Sequence, residues 1–541
     1  MRKPLWIAAW FSFALFQSVT QLVIAQENRS GPESPDYTSR VPQYSFADTL
    51  AAQEQQLKTN PLLLDFARTR KAQYAHDRYL PVYHYVSPKG QGDPNGLSFW
   101  KGRWHLFYQA YPPEDERQHW GHAVSDDLIH WRDLPYAIYP NPEQRCFSGN
   151  ALVEQDRVIV CYHGYQHGNM VAVSSDPLLL NWEKVTGKAV IPWKNPDGSD
   201  PPYAVFDPCI WKEGGTYYQL SRNFLFRSKD LEKWEYVHPF VDREQWNLYT
   251  QPGDDLACPY FLPIGNKYIL FYFSHEGGPR YLLGDYDRRN DRFVVSSGGK
   301  FNFGAHEPAA VHAPSATSDG QGAVIVTFNM TPGFRRPPWP IPFGAQLMAL
   351  PRRLTLSEEG ELLQEPIKAV ESLRRHHQKV EPMVLPANEE IVVDKIKGVS
   401  MEIIAEIDSK DAPMVEMNVF RSPDKEEFTR IAFFRGRGRN RRGLITIESS
   451  FSSLYPNVLS RAPETGPVPM DENEPLKLRV FLDRSSIEVF VNGKQCVATR
   501  VYPKREDSIG ISLRSQGKDS KLTQLDAWRM KSIYDDVQPI Q

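Results

Sequence analysis

Two aspartates, Asp93 and Asp207, are the residues best placed for chemistry. Five segments begin alike: Asp93-Pro-Asn-Gly, Ser148-Gly-Asn, Asp207-Pro-Cys, Ala257-Cys-Pro-Tyr and His312-Ala-Pro-Ser. Each stands 13 to 16 residues before the end of a short aromatic or β-branched run. An Asp-Pro pair alone also reads as the start of a turn. In common register with Ser148, and close to Trp120, Phe147 and Phe206, the two carboxylates point to sugar chemistry. Glycoside cleavage needs one carboxylate to attack or to activate water, and one acid to protonate the leaving oxygen. Aromatic faces complete such a site by stacking on sugar rings.

The elements that must position these groups repeat. The runs end at Tyr108, Tyr162, Leu220, Tyr272 and Phe328, spaced by 54, 58, 52 and 56 residues. A second element, Ser125-Asp-Asp-Leu-Ile-His-Trp131, recurs ending at Trp182 and Trp234, and reads as a turn into an outer strand. A period in the fifties with several strands per unit is that of a propeller blade, and five copies predict five blades over residues 80–380. The inner strands then line one funnel, which brings Asp93 and Asp207 to one axis. From 385 to 535 the pattern changes to strict alternation, as in Met401–Ile407, Leu476–Leu482 and Ser486–Val491, the last followed by an Asn492-Gly493 hairpin turn. This predicts a β-sandwich. The arginine-rich stretch from Arg435 to Arg442, with Arg437, Arg439 and Arg441 between, reads as a solvated hairpin tip.

Composition agrees with an all-β chain. Of 541 residues 12% are aromatic, and 44 prolines and 34 glycines interrupt long helices. The net charge of −3 argues against a nucleic-acid partner or a polybasic membrane binder. Residues 1–25 read as a secretory signal: Arg2 and Lys3, an apolar run, then Val23-Ile24-Ala25. Its removal would leave a secreted or periplasmic protein with no membrane span. Residues 26–79 read as a linker and a helical lead-in, one helix capped by Ser45 and a second by Asn60 ahead of Pro61. Five cysteines make no disulfide framework, and no spacing suggests a metal or other cofactor. Oligomeric state has no sequence signal.

The residues resemble glycoside hydrolase family 32, which includes invertases, levanases and inulinases. The resemblance rests on Asp93-Pro-Asn-Gly with Trp104–Gln109, on Trp120–Ser125 through Leu128-Ile-His-Trp131, on Phe147-Ser-Gly149, and on Leu478–Gly493. It implies a five-bladed propeller plus sandwich that cleaves β-fructofuranosides with retention. It implies Asp93 as nucleophile and Asp207 as transition-state stabiliser. Asn95, Gln109, Trp120 and Ser148 would contact the sugar, beside the aromatic faces of Phe147 and Phe206. Three positions depart from the family pattern: Gly92 replaces an Asn, Phe206 an Arg, and Ala257 the acid/base Glu. A methyl group donates no proton. Residues i and i−2 share a strand face, so Asp255 is the first candidate for a relocated acid, ahead of Glu307 and His312, with His275 and His306 also near. Two alternatives stand beside a fructosidase: a silent carbohydrate-binding protein, and a hydrolase of a different sugar.

Overall fold

The five aromatic runs become the second strands of five antiparallel sheets. They lie in Arg103–Ala110, Val158–Gly164, Thr216–Ser221, Lys267–Ser274 and Val324–Met330. Each pairs with an inner strand: Gln91–Trp100, Cys146–Val153, Pro208–Glu213, Ala257–Ile264 and Val311–Ser318. The five segments aligned by spacing stand at the starts of these inner strands. The computed structural model describes residues 39–304, 310–333, 346–409, 411–436, 442–458, 461–471 and 473–534. The leader, most of the linker, His306, Glu307 and Arg437, Arg439 and Arg441 lie outside them.

Every blade runs from inner to outer strand in chain order, and no blade borrows a strand from another. Each inner strand packs against those on either side, and the fifth returns to the first, closing the ring. The Ser/Asp…Trp element is the turn into the outer strand. Asp127, Asp176 and Asp230 accept successive backbone N–H groups there. Leu128, Leu179 and Leu231 sit at positive φ, and the Trp182 and Trp234 indoles donate to Leu179 and Leu231 carbonyls at 2.8 Å. Trp182 also meets Phe107 of the first blade edge-on.

Helices Leu50–Leu57 and Pro61–His76 form the lead-in. Asn60 caps the second, accepting from Leu62 and Leu63 N–H. Ser45 caps nothing: the first helix starts later, after Thr49, because Phe46 is bound by backbone to the Asn181 side chain.

The sandwich has two antiparallel sheets around a core that includes Ile403, Ile407, Met417, Leu478, Val480 and Val489. Their alternation along each strand is the pattern seen in sequence, and each such side chain taken from water contributes ~1.5–3 kcal/mol. The Asn492-Gly493 turn forms with φ of 52° and 65°, the left-handed backbone that a two-residue hairpin requires. Arg435 and Arg442 flank the ends of the paired strands Thr429–Phe434 and Arg442–Glu448. One boundary differs from the sequence reading. The last blade ends at Pro366, and Arg374–Val380 pairs with Ser520–Met530 at an edge of a sandwich sheet. Edge strands are commonly charged, and this one shows no apolar alternation by which to recognise it.

The two domains meet through buried charge. His84, which precedes the first blade, places Nδ1 at 2.9 Å from Asp483 and Nε2 at 3.1 Å from Glu488, all fully buried. Asp483 also accepts the backbone N–H groups of Val82, Tyr83 and His84. Glu488 accepts from Leu350 N–H and the Arg352 guanidinium on the fifth-blade side. Burial opposes charge on His84, but the two carboxylates outweigh it and push its pKa up to about 9.

Candidate active site

At the funnel, side chains from the first, second, fourth and fifth blades converge on Asp93. Its Oδ2 accepts from Gln109 Nε2 at 3.2 Å and Ser148 Oγ at 2.9 Å, with Cys258 Sγ at 3.8 Å. Its Oδ1 faces His312 Nδ1 at 3.3 Å and Asn329 Nδ2 at 3.4 Å. Asp207, from the third blade, shares Cys258 with it. Burial works against the charge on Asp93, but His312 and Ser148 outweigh it and hold the carboxyl below its ordinary range. The side chain stays 18% exposed, so an ionised oxygen is open to the funnel.

Asp207 has the opposite electrostatics. Burial and the Asp93 charge push its carboxyl up to about 7, against the Cys258 N–H at 3.2 Å and Sγ at 3.4 Å from Oδ2 and the nearby His275 imidazole, which offset them in part. Burial and both carboxylates in turn hold the Cys258 thiol well above its usual pKa, so it is a neutral S–H donor between two acids. A bulge sets this geometry. Leu256 and Cys258 have φ of 53° and 45°, and the pairing shifts between Ala257 and Tyr260, which turns the Cys258 N–H onto Asp207. Two carboxyls whose environments drive their pKa values apart are suited to two different roles.

Ala257 is fully buried in an apolar cluster with Cys258, Phe273 and Ala313, against which Phe206 packs. The Phe206 N–H donates to Ser221 Oγ, whose hydroxyl donates back to the Phe206 carbonyl. Asp255 is not a free acid. It accepts from His275 Nδ1 at 2.7 Å and from the His275 backbone N–H at 3.3 Å. Burial raises its pKa, but the imidazole prevails and holds it below the ordinary range, the state of an acceptor rather than a proton donor.

Gln109 and Ser148 stand at the site, each donating to Asp93 Oδ2. Asn95 and Trp120 stand behind the wall instead. Asn95 is fully buried, with Oδ1 on the Gly149 N–H, and Trp120 is fully buried between Phe107 and Tyr162, donating to the Phe147 carbonyl. Their position on the inner and third strands of the first blade turns them into its seam with the second blade. Phe147 and Phe206 join an aromatic wall with His163, Tyr165 and Trp193. His163, Ser221, Phe273 and Asn329 were not singled out by spacing. One signal was present: with Gln109, they are the residues that directly follow the five runs. Among the described residues, no three His, Cys, Asp or Glu side chains are arranged to hold a metal ion, and all five cysteines are free and buried.

Comparison with known proteins decides the family. Residues 84–366 match the glycosyl hydrolases family 32 N-terminal domain, and residues 369–529 match the family 32 C-terminal domain. The chain belongs to glycoside hydrolase family 32. This family 32 glycosidase is 26% identical over 509 residues to a levanase of Bacillus subtilis (strain 168), covering 85% of this chain and 72% of the levanase. It is 27% identical over 478 residues to a sucrose-6-phosphate hydrolase of Escherichia coli, covering 79% of this chain and 90% of the relative. Its fold is that of fructan 1-exohydrolase IIa from Cichorium intybus, with a TM-score of 0.73 at 21% identity, over 84% of this chain and 98% of the other. The sucrose-6-phosphate hydrolase of Lactobacillus gasseri gives 0.68 at 21% identity, over 92% and 100%.

Two departures of this family 32 chain have a structural reading. A Cβ at Gly92 would come within 2.8 Å of Gln109 Oε1 and 3.0 Å of the Tyr111 hydroxyl, so the wall has closed over the side chain usual there. An arginine does stand beside Phe206, but from another element: the Arg222 guanidinium lies 4.9 Å from the ring centroid.

Proposed function

We propose that this protein hydrolyses β-fructofuranosidic bonds of an oligo- or polysaccharide with retention at the anomeric carbon. Asp93 attacks that carbon and Asp207 holds sugar hydroxyls as the transition state forms. The observation that carries the reading is the convergence of side chains from four blades on Asp93, beside Asp207 of the third, which keeps one carboxylate ionised, oriented and partly open. The relatives' names support the bond type. They include a levanase, sucrose-6-phosphate hydrolases and β-fructofuranosidases, and solved relatives hold 1-kestose or sucrose.

Phe206 and Ala257 favour a second reading, a different sugar. Together they replace a cation and a carboxylate with apolar surface at the innermost pocket, which changes the hydroxyl pattern it reads. Incubation with sucrose, inulin, levan and a panel of other oligosaccharides separates the two. Fructose release, with the β-anomer formed first by NMR, supports the fructosidase. Release of another sugar supports the second reading, and binding without product would leave a silent sugar-binding protein. The leader-like residues 1–25 support export to the periplasm or the exterior.

A further inference from the structure

The fourth blade has lost one acid and gained a pair. Ala257 pairs across the hairpin with Phe273. Two residues back from Ala257 stands Asp255, and two on from Phe273 stands His275. Each lies just past the end of its strand, two residues beyond the position where a side-chain acid is missing. Their side chains meet at 2.7 Å through His275 Nδ1, so Nε2 is the ring nitrogen left to exchange a proton. The imidazole is 57% exposed. It also borders the site, with its ring 6.1 Å from Phe206 and 5.2 Å from Phe273. The Phe273 ring in turn lies 4.0 Å from that of His312, the partner of Asp93, tilted against it.

We propose that His275 is the acid/base residue of this enzyme, and that Asp255 is the positioning residue that fixes its tautomer and charge. This rests on the glycosidase reading above. In the first step Asp93 forms a bond to the anomeric carbon. The glycosidic C–O bond breaks, its electron pair stays on the leaving oxygen, and that oxygen takes the proton from His275 Nε2. In the second step neutral Nε2 takes a proton from water. The water oxygen bonds the anomeric carbon and the bond to Asp93 breaks, which restores both groups.

The surroundings suit a proton donor. Asp255 and Asp207 supply negative charge, against His312 and Arg222 on the neighbouring elements. Burial disfavours the imidazolium, but Asp255 and then Asp207 overcome it and hold His275 above its ordinary value.

The test compares wild type, His275→Gln and Asp255→Asn on a natural disaccharide and on a nitrophenyl glycoside of the same sugar, whose leaving group needs no proton. His275→Gln should slow the disaccharide ~10²–10⁴-fold. It should spare the nitrophenyl substrate and erase the alkaline limb of the kcat/KM profile. Asp255→Asn should move that limb to lower pH, a change that a purely structural role does not produce. Equal activity of His275→Gln and wild type on both substrates overturns the assignment and leaves the fructosidase reading standing. If wild type cleaves only another sugar, that reading fails, and the same variants on that sugar still decide His275. If wild type cleaves nothing, both fall.

Discussion

The funnel and the domain seam each bury two carboxylates, yet only one of the two sites is left able to react. At the seam, Asp483 and Glu488 face the His84 imidazole, and Glu488 also faces the Arg352 guanidinium, with backbone N–H groups completing their shells. Burial raises the pKa of Glu488, but His84 and Arg352 hold it below the ordinary range. At the funnel, Asp93 is supported but Asp207 has only one neutral thiol and one N–H in hydrogen-bond reach, with the His275 imidazole acting from further off. Buried acids thus form a structural weld where cations touch them, and a titrating group where none does.

Three measurements sharpen the contrast. Asp93→Asn should abolish turnover, by on the order of 10⁴-fold or more as for other covalent nucleophiles, while the melting temperature stays or rises; steady-state kinetics and a thermal melt check both halves. Glu488→Ala should do the reverse. It strands Arg352 as a buried cation, leaves His84 with Asp483 alone, and should cost ~3–5 kcal/mol in denaturant unfolding, with activity per folded molecule unchanged. The third is a pH series of melting temperatures. Asp207 titrates near 7 when folded against 3.8 ordinarily, so the native state binds that proton more tightly. Its stabilisation is full below about pH 4 and is lost as pH rises to about 7, at most ~4 kcal/mol. His84 is raised from 6.5 to about 9, so its stabilisation is full below 6.5 and is lost as pH climbs through 9, at most ~3 kcal/mol. Wild type should weaken in both windows, Asp207→Asn only in the upper, and His84→Gln only in the lower. A single shared window would end the distinction between the two regions.

Much of this was legible in sequence because propeller geometry is periodic. The spacing of the five runs fixed the starts of five inner strands, and with them Asp93, Asp207, Ser148 and His312. What was not legible depends on local irregularity. Counting back from the Gly265 turn pairs Asp255 with Glu276, two like charges. The bulge after Ala257 shifts the register by one and delivers His275 instead. No residue type announces that slip. Asn95 and Trp120 sit where the resemblance placed them along the chain, but a strand start does not tell which face meets the funnel and which meets the next blade. Arg222 reaches Phe206 from a turn at positive φ, an arrangement that neither period nor motif encodes.

Because each blade is woven only from its own stretch of chain, no strand threads from the beginning of the ring into its end. Such a ring has a slit between the first and fifth blades, crossed by no shared strand and bridged by scattered bonds such as Met348 N–H to the Tyr85 carbonyl and Leu97 N–H to Ser315 Oγ. The residues that span the slit are His84 at one lip and Leu350 and Arg352 at the other, and what they grip in common is Glu488, on a hairpin made more than a hundred residues after the slit has formed. The sandwich is therefore a clasp for the propeller. The chain can close that clasp only once the hairpin has been made, and the contact of Asp93 with His312 crosses the same slit.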